Sequence, residues 1–321
     1  MSYVIGIDGG GTKTKAVIAD MNGKVIAANS TGSTNPNIVS KQKLRHTLEA
    51  LFNSLEKSSN IPMKYIQFVF AGVSGAGNET NKTTLRDIMA SCLPDGIPIR
   101  IEADTVNALY SGTYGDPGIV QISGTGSITY GVNRHLKHER AGGWGYLFGD
   151  EGSGYDIGRQ GIIHALKSVD GRGPETVLLP MIYSHFEVTN AQSLIQKIYT
   201  ASVPKNKISP ITEIVFDAYK REDPSAKMIL QQAAEEMCLS IGTLYEKLFE
   251  PGEKTEVVLC GGVFNETSIL PKLIKTELQT YTAINVMLPK MPPVGGSIIG
   301  AYLMQDRAFD NTVINTIIKT I

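Results

Sequence analysis

The sequence predicts an α/β protein made of two duplicated domains that face each other. Three observations lead there. The chain has 321 residues, and at roughly 100–200 residues per domain that is length for two cores. A strand, a glycine turn and a second strand open it, around Ile7-Asp8-Gly9-Gly10-Gly11-Thr12. A second unit of the same kind follows around Ile122-Ser123-Gly124-Thr125-Gly126-Ser127.

The elements follow in order. Tyr3–Asp8, Lys13–Asp20 and Lys24–Ala28 are apolar, β-branched runs, and the Asn22-Gly23 pair between the last two is a strong hairpin signal. They read as an antiparallel meander. Leu44, Leu48, Leu51, Phe52 and Leu55 recur at helical spacing and predict a helix from about Lys41 to Lys57. A strand at Tyr65–Ala71, a glycine loop at Gly72–Gly77, a helix near Lys82–Ser91, a strand at Ile97–Ala103 and a helix near Thr105–Ser111 complete the first half. The pattern restarts after Gly115-Asp116-Pro117-Gly118, with strands at Ile119–Ser123 and Ile128–Asn133. A helix-rich stretch runs from about Gly154 to Phe249, and Lys220–Glu236 reads as a charged, solvated helix face without chemistry. Strands return at Glu256–Leu259 and Ile284–Leu288, and Pro292-Pro293-Val294-Gly295-Gly296 leads into a helix over Ser297–Met304. The expected domains are 1–115, with 306–321 returning to it, and 116–305.

Composition narrows the function. Hydrophobic residues make up 42% and charged residues 19%, and the formal net charge is −1, so no basic field recruits nucleic acid or an anionic membrane. The three cysteines, Cys92, Cys238 and Cys260, form no CxxC pair and no metal spacing with the five histidines. Sparse cysteines, a strand-like N-terminus and the lack of a run of about 20 apolar residues give the expectation of a cytoplasmic protein.

A phosphate needs several backbone N–H groups pointing inward and no side chain in the way, which glycines provide, with Ser, Thr or Lys adding donors. Gly10, Gly11, Thr12 and Lys13 suit this, as do Gly124, Thr125 and Gly126. Walker A is excluded because Thr12 separates Gly11 from Lys13. The Rossmann fingerprint is excluded because this turn joins two strands. One such hairpin is ordinary, but two from two domains can clasp a triphosphate. Asp8, at the end of the first strand, would repel phosphate unless Mg²⁺ intervened through water; the other reading is a carboxylate satisfying turn N–H groups. Gly261-Gly262 follows a strand, and permits either close approach of a flat nucleoside or tight packing. Asp104 ends a strand and starts a helix, which suits a base beside a cleft and equally an N-cap. Trp144, the only tryptophan, lies between Gly143 and Gly145, with Asp150-Glu151 close by, a pattern that fits a pocket wall.

Asp8-Gly-Gly-Gly-Thr-Lys-Thr14, Ile122-Ser-Gly-Thr-Gly-Ser127, Gly142-Gly143-Trp144-Gly145, Gly149-Asp150-Glu151-Gly152-Ser153 and Cys260-Gly261-Gly262, in that order, resemble the N-acetylglucosamine kinases. More broadly they resemble the BadF/BadG/BcrA/BcrD ATPases of the sugar kinase/actin/heat-shock ATPase superfamily, from about residue 3 to about residue 304. The resemblance implies two actin-like (ribonuclease H-like) domains with an ATP and sugar cleft between them. The first domain would carry the sugar and base side, the second the nucleotide side. It places Thr12 and Thr125 at the phosphates, and Gly261, Gly262 and Asn265 near the nucleoside with Ser209. Asp104 is then the catalytic base, and Asn35, Ser127, Ile128, Gly143, Trp144, Gly145 and Asp150 lie at the sugar. Family members often carry Asn where this chain has Ala103 and Ile128.

The implied activity is phosphorylation of an N-acetylated amino sugar, N-acetylglucosamine at its 6-hydroxyl, with ATP and Mg²⁺ and with a role in amino-sugar metabolism and cell-wall recycling. The alternatives are N-acetylmuramic acid or glucosamine as acceptor. The expected partner is the small-molecule sugar, with neither nucleic acid nor membrane, in a homodimer. A dehydratase-activating ATPase of the same family would need cysteines holding an iron–sulfur cluster, for which these three are badly arranged. A nucleotide sensor would have no need of Asp104 or Asp150.

Overall fold

The structure is a computed structural model and describes residues 2–305 and 309–321. In chain order, β1 (Tyr3–Gly9), β2 (Lys13–Asp20) and β3 (Val25–Gly32) form the meander. They are followed by α1 (Lys41–Ser59), β4 (Ile66–Val73), α2 (Glu79–Ser91), β5 (Ile99–Glu102) and α3 (Asp104–Thr113). A second set repeats the plan with β6 (Gly118–Ser123), β7 (Ser127–Val132) and β8 (His138–Gly142). Six helices come next: α4 (Gly154–Val169), α5 (Leu178–Phe186), α6 (Ala191–Tyr199), α7 (Pro204–Ile208), α8 (Ile211–Lys220) and α9 (Pro224–Leu248). The chain closes with β9 (Thr255–Cys260), α10 (Leu270–Glu277), β10 (Ile284–Met287), α11 (Pro293–Leu303) and α12 (Asn311–Thr320).

These elements divide into two compact units, one of residues 1–116 with 289–321 and one of residues 117–288. Each holds a five-stranded sheet, ordered β3-β2-β1-β4-β5 in the first and β8-β7-β6-β9-β10 in the second. In both, the meander is antiparallel and the two later strands are parallel. The two units therefore share one topology, that of the ribonuclease H-like fold, as the paired glycine hairpins predict.

In the first unit β1 is central, and Val4, Ile5 and Ile7 are fully buried, which explains its continuous apolar run. The edge strand β3 alternates half-buried with exposed residues. Helix α1 buries the five predicted apolar residues. It starts at Ser40, whose hydroxyl accepts from the Lys43 N–H at 3.3 Å, and stops at Asn60 in the left-handed region. Helix α11 packs on α3, β1 and β4. Its backbone approaches them so closely that a Cβ on Gly296 would lie 2.0 Å from the Asn107 carbonyl oxygen, and one on Gly6 of β1 would lie 2.5 Å from Ser297 Oγ. The expected 116–305 segment put this helix with the second half of the chain. It joins the first unit instead, because its buried apolar residues (Val294, Ile298, Ile299, Ala301) are covered where it packs on α3, β1 and β4. Of the expected returning segment, residues 306–308 lie outside the described residues. Helix α12 packs back on the hairpin between β2 and β3, where Thr320 Oγ1 accepts from the Val25 N–H at 3.0 Å.

In the second unit α9 packs on β6, β7 and β8, and α4 on α5, α8 and α9. The edge strand β8 has no counterpart in the sequence expectations. Its residues are half-buried or exposed, so no apolar alternation marks it. Among the described residues no helix is long and apolar enough to cross a membrane.

Candidate active site

In the first unit the predicted residues gather where β1 and β4 end. The Gly10 N–H donates to the Lys13 carbonyl at 2.9 Å and closes the hairpin, leaving Gly11, Thr12 and Lys13 exposed at its tip. Asp104 is the first residue of α3, and Ala103 holds the cap position without a side-chain cap. Asp104 therefore stands one residue inside the cap position, with its carboxylate turned to the first-turn N–H groups. It accepts from its own N–H, the Thr105 N–H and the Ser74 hydroxyl. Burial, chiefly, and then the nearby Asp8 carboxylate push its pKa from 3.8 to about 6.

Ser74 links the base to Asn35. The buried Asn35 amide donates to Ser74 Oγ at 3.4 Å, and the Asn35 side-chain oxygen accepts from the Asn37 N–H at 2.9 Å. The glycine loop is shaped around it: Gly75 has φ +86°, and a Cβ there would stand 2.3 Å from Asn35 Oδ1.

Asn107, one turn along α3, is fully buried. Its amide nitrogen reaches Asp8 Oδ1 at 2.8 Å, the Ile7 carbonyl at 3.0 Å and the Gly72 carbonyl at 3.2 Å, while its Oδ1 has no partner. Asp8 is raised above the usual carboxylate range by burial, against the pull of Asn107 and Lys15. Sequence reasoning offered Ser74 only as part of a Gly72–Gly77 loop that could reach the sugar or be a plain turn, and it missed Asn107 as a site residue. The i, i+3 spacing of Asp104 and Asn107 on the first turn of α3 was the available signal.

In the second unit a cleft of about 730 Å³ collects five of the seven nucleotide residues predicted there. Gly124, Thr125, Ser209, Gly262 and Asn265 all line it. The glycine turn is tied to the start of α4, where the Gly154 N–H donates to the Gly124 carbonyl at 2.7 Å. A glycine turn beside a helix N-terminus is suited to an anion. Gly126 and Gly261 neighbour lining residues in sequence but are not themselves part of the lining. A Cβ on Gly126 would lie 2.8 Å from Asp150 Oδ2, and one on Gly261, at φ +108°, 2.3 Å from the Ser123 carbonyl oxygen.

The expected sugar residues of this unit form a second group. Asp150 is buried at 5% exposure and adopts φ +59°, a conformation that costs a non-glycine residue of order 1 kcal/mol. Lys205 Nζ stands 3.5 Å from Asp150 Oδ2. Trp144 is 67% exposed, with the Arg140 guanidinium 4.1 Å above its ring. Gly143 lies against Ile128, whose side chain a Cβ would meet at 2.8 Å. Gly145 accepts from the Phe148 and Gly149 N–H groups at 3.1 and 2.9 Å. The buried Ser127 hydroxyl accepts from Gln121 Nε2 at 2.9 Å, which ties β7 to β6.

Residues 5–304 match the BadF/BadG/BcrA/BcrD ATPase family. The chain belongs to that family. An N-acetylmuramic acid/N-acetylglucosamine kinase of Clostridium acetobutylicum is 35% identical over 300 residues, covering 93% of this chain and 98% of the relative. An N-acetyl-D-glucosamine kinase of Dictyostelium discoideum is 30% identical over 307 residues, covering 92% and 96%. Among solved structures, the ROK family glucokinase of Streptomyces griseus, bound to glucose and AMPPNP, superposes with TM-score 0.59 at 16% identity, covering 94% of this chain and 99% of that one. That likeness is one of fold alone. As a family member the chain uses ATP, and the glycine-turn cleft of the second unit has the donors such a ligand requires.

The cleft also corrects one reading. Lys220–Glu236 is not a single solvated helix face, because α8 ends at Lys220 and α9 starts after the Asp223 cap. Glu213, Phe216, Asp217 and Lys220 all line the cleft, and Lys220 Nζ pairs with Glu266 Oε2 at 2.6 Å across it. Their i, i+3, i+4, i+7 spacing puts them on one face of α8, a face that in sequence reads the same as a solvated one. Among the described residues no three His, Cys, Asp or Glu cluster as metal ligands.

Proposed function

We propose that this family member is an ATP-dependent kinase of N-acetylated amino sugars that phosphorylates the 6-hydroxyl of N-acetylglucosamine. The observation that carries this is Asp104: a carboxylate held near pH 6 and joined through Ser74 to a buried asparagine. A general base is most effective with its pKa close to the working pH. Asp104 takes the proton of the sugar hydroxyl, while Asn35 and Ser74 fix the acceptor's orientation. The Gly124–Gly126 turn and the Gly10–Lys13 hairpin donate to the ATP phosphates, and the α8 face with Gly262 and Asn265 holds the nucleoside. Trp144 offers the sugar an apolar face and Asp150 accepts its hydroxyls. Asp8 suits a Mg²⁺ held largely through water and phosphates, since a buried carboxylate with a raised pKa gains from a cation; the ion would neutralise phosphate charge. A cytoplasmic homodimer completes the proposal. The 35% identical relative's double name favours N-acetylmuramic acid as a second acceptor.

ADP release measured across N-acetylglucosamine, N-acetylmuramic acid, glucosamine, glucose and N-acetylmannosamine tests this. N-acetylglucosamine-dependent release is expected, falling at least ~10³-fold in Asp104→Ala. Release that ignores every sugar would overturn the kinase assignment.

A further inference from the structure

We infer that Lys205 is the residue that recognises an anionic substituent on the sugar, and that it extends the acceptor range to amino sugars bearing a carboxylate. This rests on the sugar-kinase reading above. Asp150 is buried, yet the charge opposite it is only loosely engaged. Lys205 Nζ makes one long contact, 3.5 Å to Asp150 Oδ2, and lies 5.3 Å from the centre of the Tyr146 ring. An ammonium has three N–H donors, so among the described residues two remain for a ligand. A neutral sugar bound through its hydroxyls to Asp150 needs no cation beside it. A sugar carrying a carboxylate ether does, because Asp150 would otherwise repel it.

The fold fixes where that cation stands. Helix α7 begins at Pro204, and the Ser209 N–H donates to the Lys205 carbonyl at 3.0 Å. One short turn therefore carries Ser209 in the nucleotide cleft and Lys205 at Asp150. Lys205 is not part of the cleft lining, which places it with Asp150 and Tyr146 instead of with the nucleotide. The other nearby cation is already occupied: Arg140 covers the Trp144 ring and donates to the Gly142 and Gly143 carbonyls, each at 3.3 Å.

The test is steady-state kinetics of wild type, Lys205→Met and Lys205→Arg with N-acetylglucosamine and N-acetylmuramic acid, with ADP affinity and thermal melting as checks of the fold. Wild type should phosphorylate both sugars. Lys205→Met should lose ~10- to 100-fold in kcat/KM for N-acetylmuramic acid, the value of a charge-assisted hydrogen bond. Its N-acetylglucosamine activity should fall less, since losing the partner of Asp150 touches both sugars whereas losing the carboxylate contact touches one, so the ratio of the two kcat/KM values should shift ~10-fold or more against the acidic sugar. KM for ATP should change less than ~3-fold, and Lys205→Arg should recover most of the acidic-sugar activity. Equal losses for both sugars, no loss for either, or a raised KM for ATP would overturn the inference. So would a wild type active on N-acetylglucosamine and inert to N-acetylmuramic acid. A wild type inert to every amino sugar would instead sink the kinase reading.

Discussion

Asp104 meets two demands that conflict. As a base it must be ionised near neutral pH, yet burial and the Asp8 carboxylate resist its charge. At about 1.4 kcal/mol for each pKa unit, a rise from 3.8 to about 6 means that ionising it costs the folded state of order 2–3 kcal/mol. The sign follows from linkage. Between pH 4 and 6 the folded protein binds the proton that the unfolded chain has lost, so stability falls as pH rises through that window. Asp104→Asn removes the charge and should melt several degrees higher at pH 7.5, with the advantage vanishing below pH 4. A variant melting lower at both pH values would refute this. In wild type, kcat/KM should rise with pH to about 6 and then level. The sequence made Asp104 a candidate because it stands between a strand and a helix. It could not show the Ser74 hydroxyl and Asp8 converging on that corner, since they come from two other stretches of chain and meet α3 only in the folded unit.

Loops that look alike in sequence differ sharply in what they tolerate. Gly261 and Gly262 read as one motif, but only Gly261 holds a positive φ and passes within 2.3 Å, by the Cβ measure, of the Ser123 carbonyl oxygen. Gly261→Ala should cost about 2–4 kcal/mol through strain and displaced backbone and weaken ADP binding by shifting the lining residues Gly262 and Val263 that follow it. Gly262→Ala, whose Cβ would meet nothing nearer than Asn265 Nδ2 at 4.0 Å, should cost under about 1 kcal/mol. Urea denaturation of the pair decides it; equal losses would sink the distinction. The same limit explains α8. Its apolar residues Ile211, Val215 and Ala218 face the core and were legible from periodicity. Glu213, Asp217 and Lys220 face a cleft, and a charge facing a cleft has the same sequence signature as one facing solvent.

The order of elements along the chain determines which part can stand alone. The second unit is continuous, residues 117–288, whereas the first needs residues 289–321 to be complete. The duplication was visible because both glycine hairpins carry local signatures. The return of α11 was not, because an apolar, glycine-rich helix declares that it is buried and not which sheet buries it. Its glycines settle the matter in the structure: a Cβ on Gly300 would stand 2.6 Å from the Phe70 ring of β4, so this position admits only glycine where α11 lies on the first sheet. Residues 117–288 expressed alone should therefore fold cooperatively around their own core of α4, α8, α9 and the β6-centred sheet and retain ADP binding, while lacking phosphotransfer because Asp104 is absent. A chain truncated after Leu288 should keep that same melting transition and lose the one belonging to the first unit, whose β1 and α3 would be stripped of α11. Calorimetry of the two truncated chains reads both transitions. If the truncated chain kept both, α11 would not be the element that completes the first core.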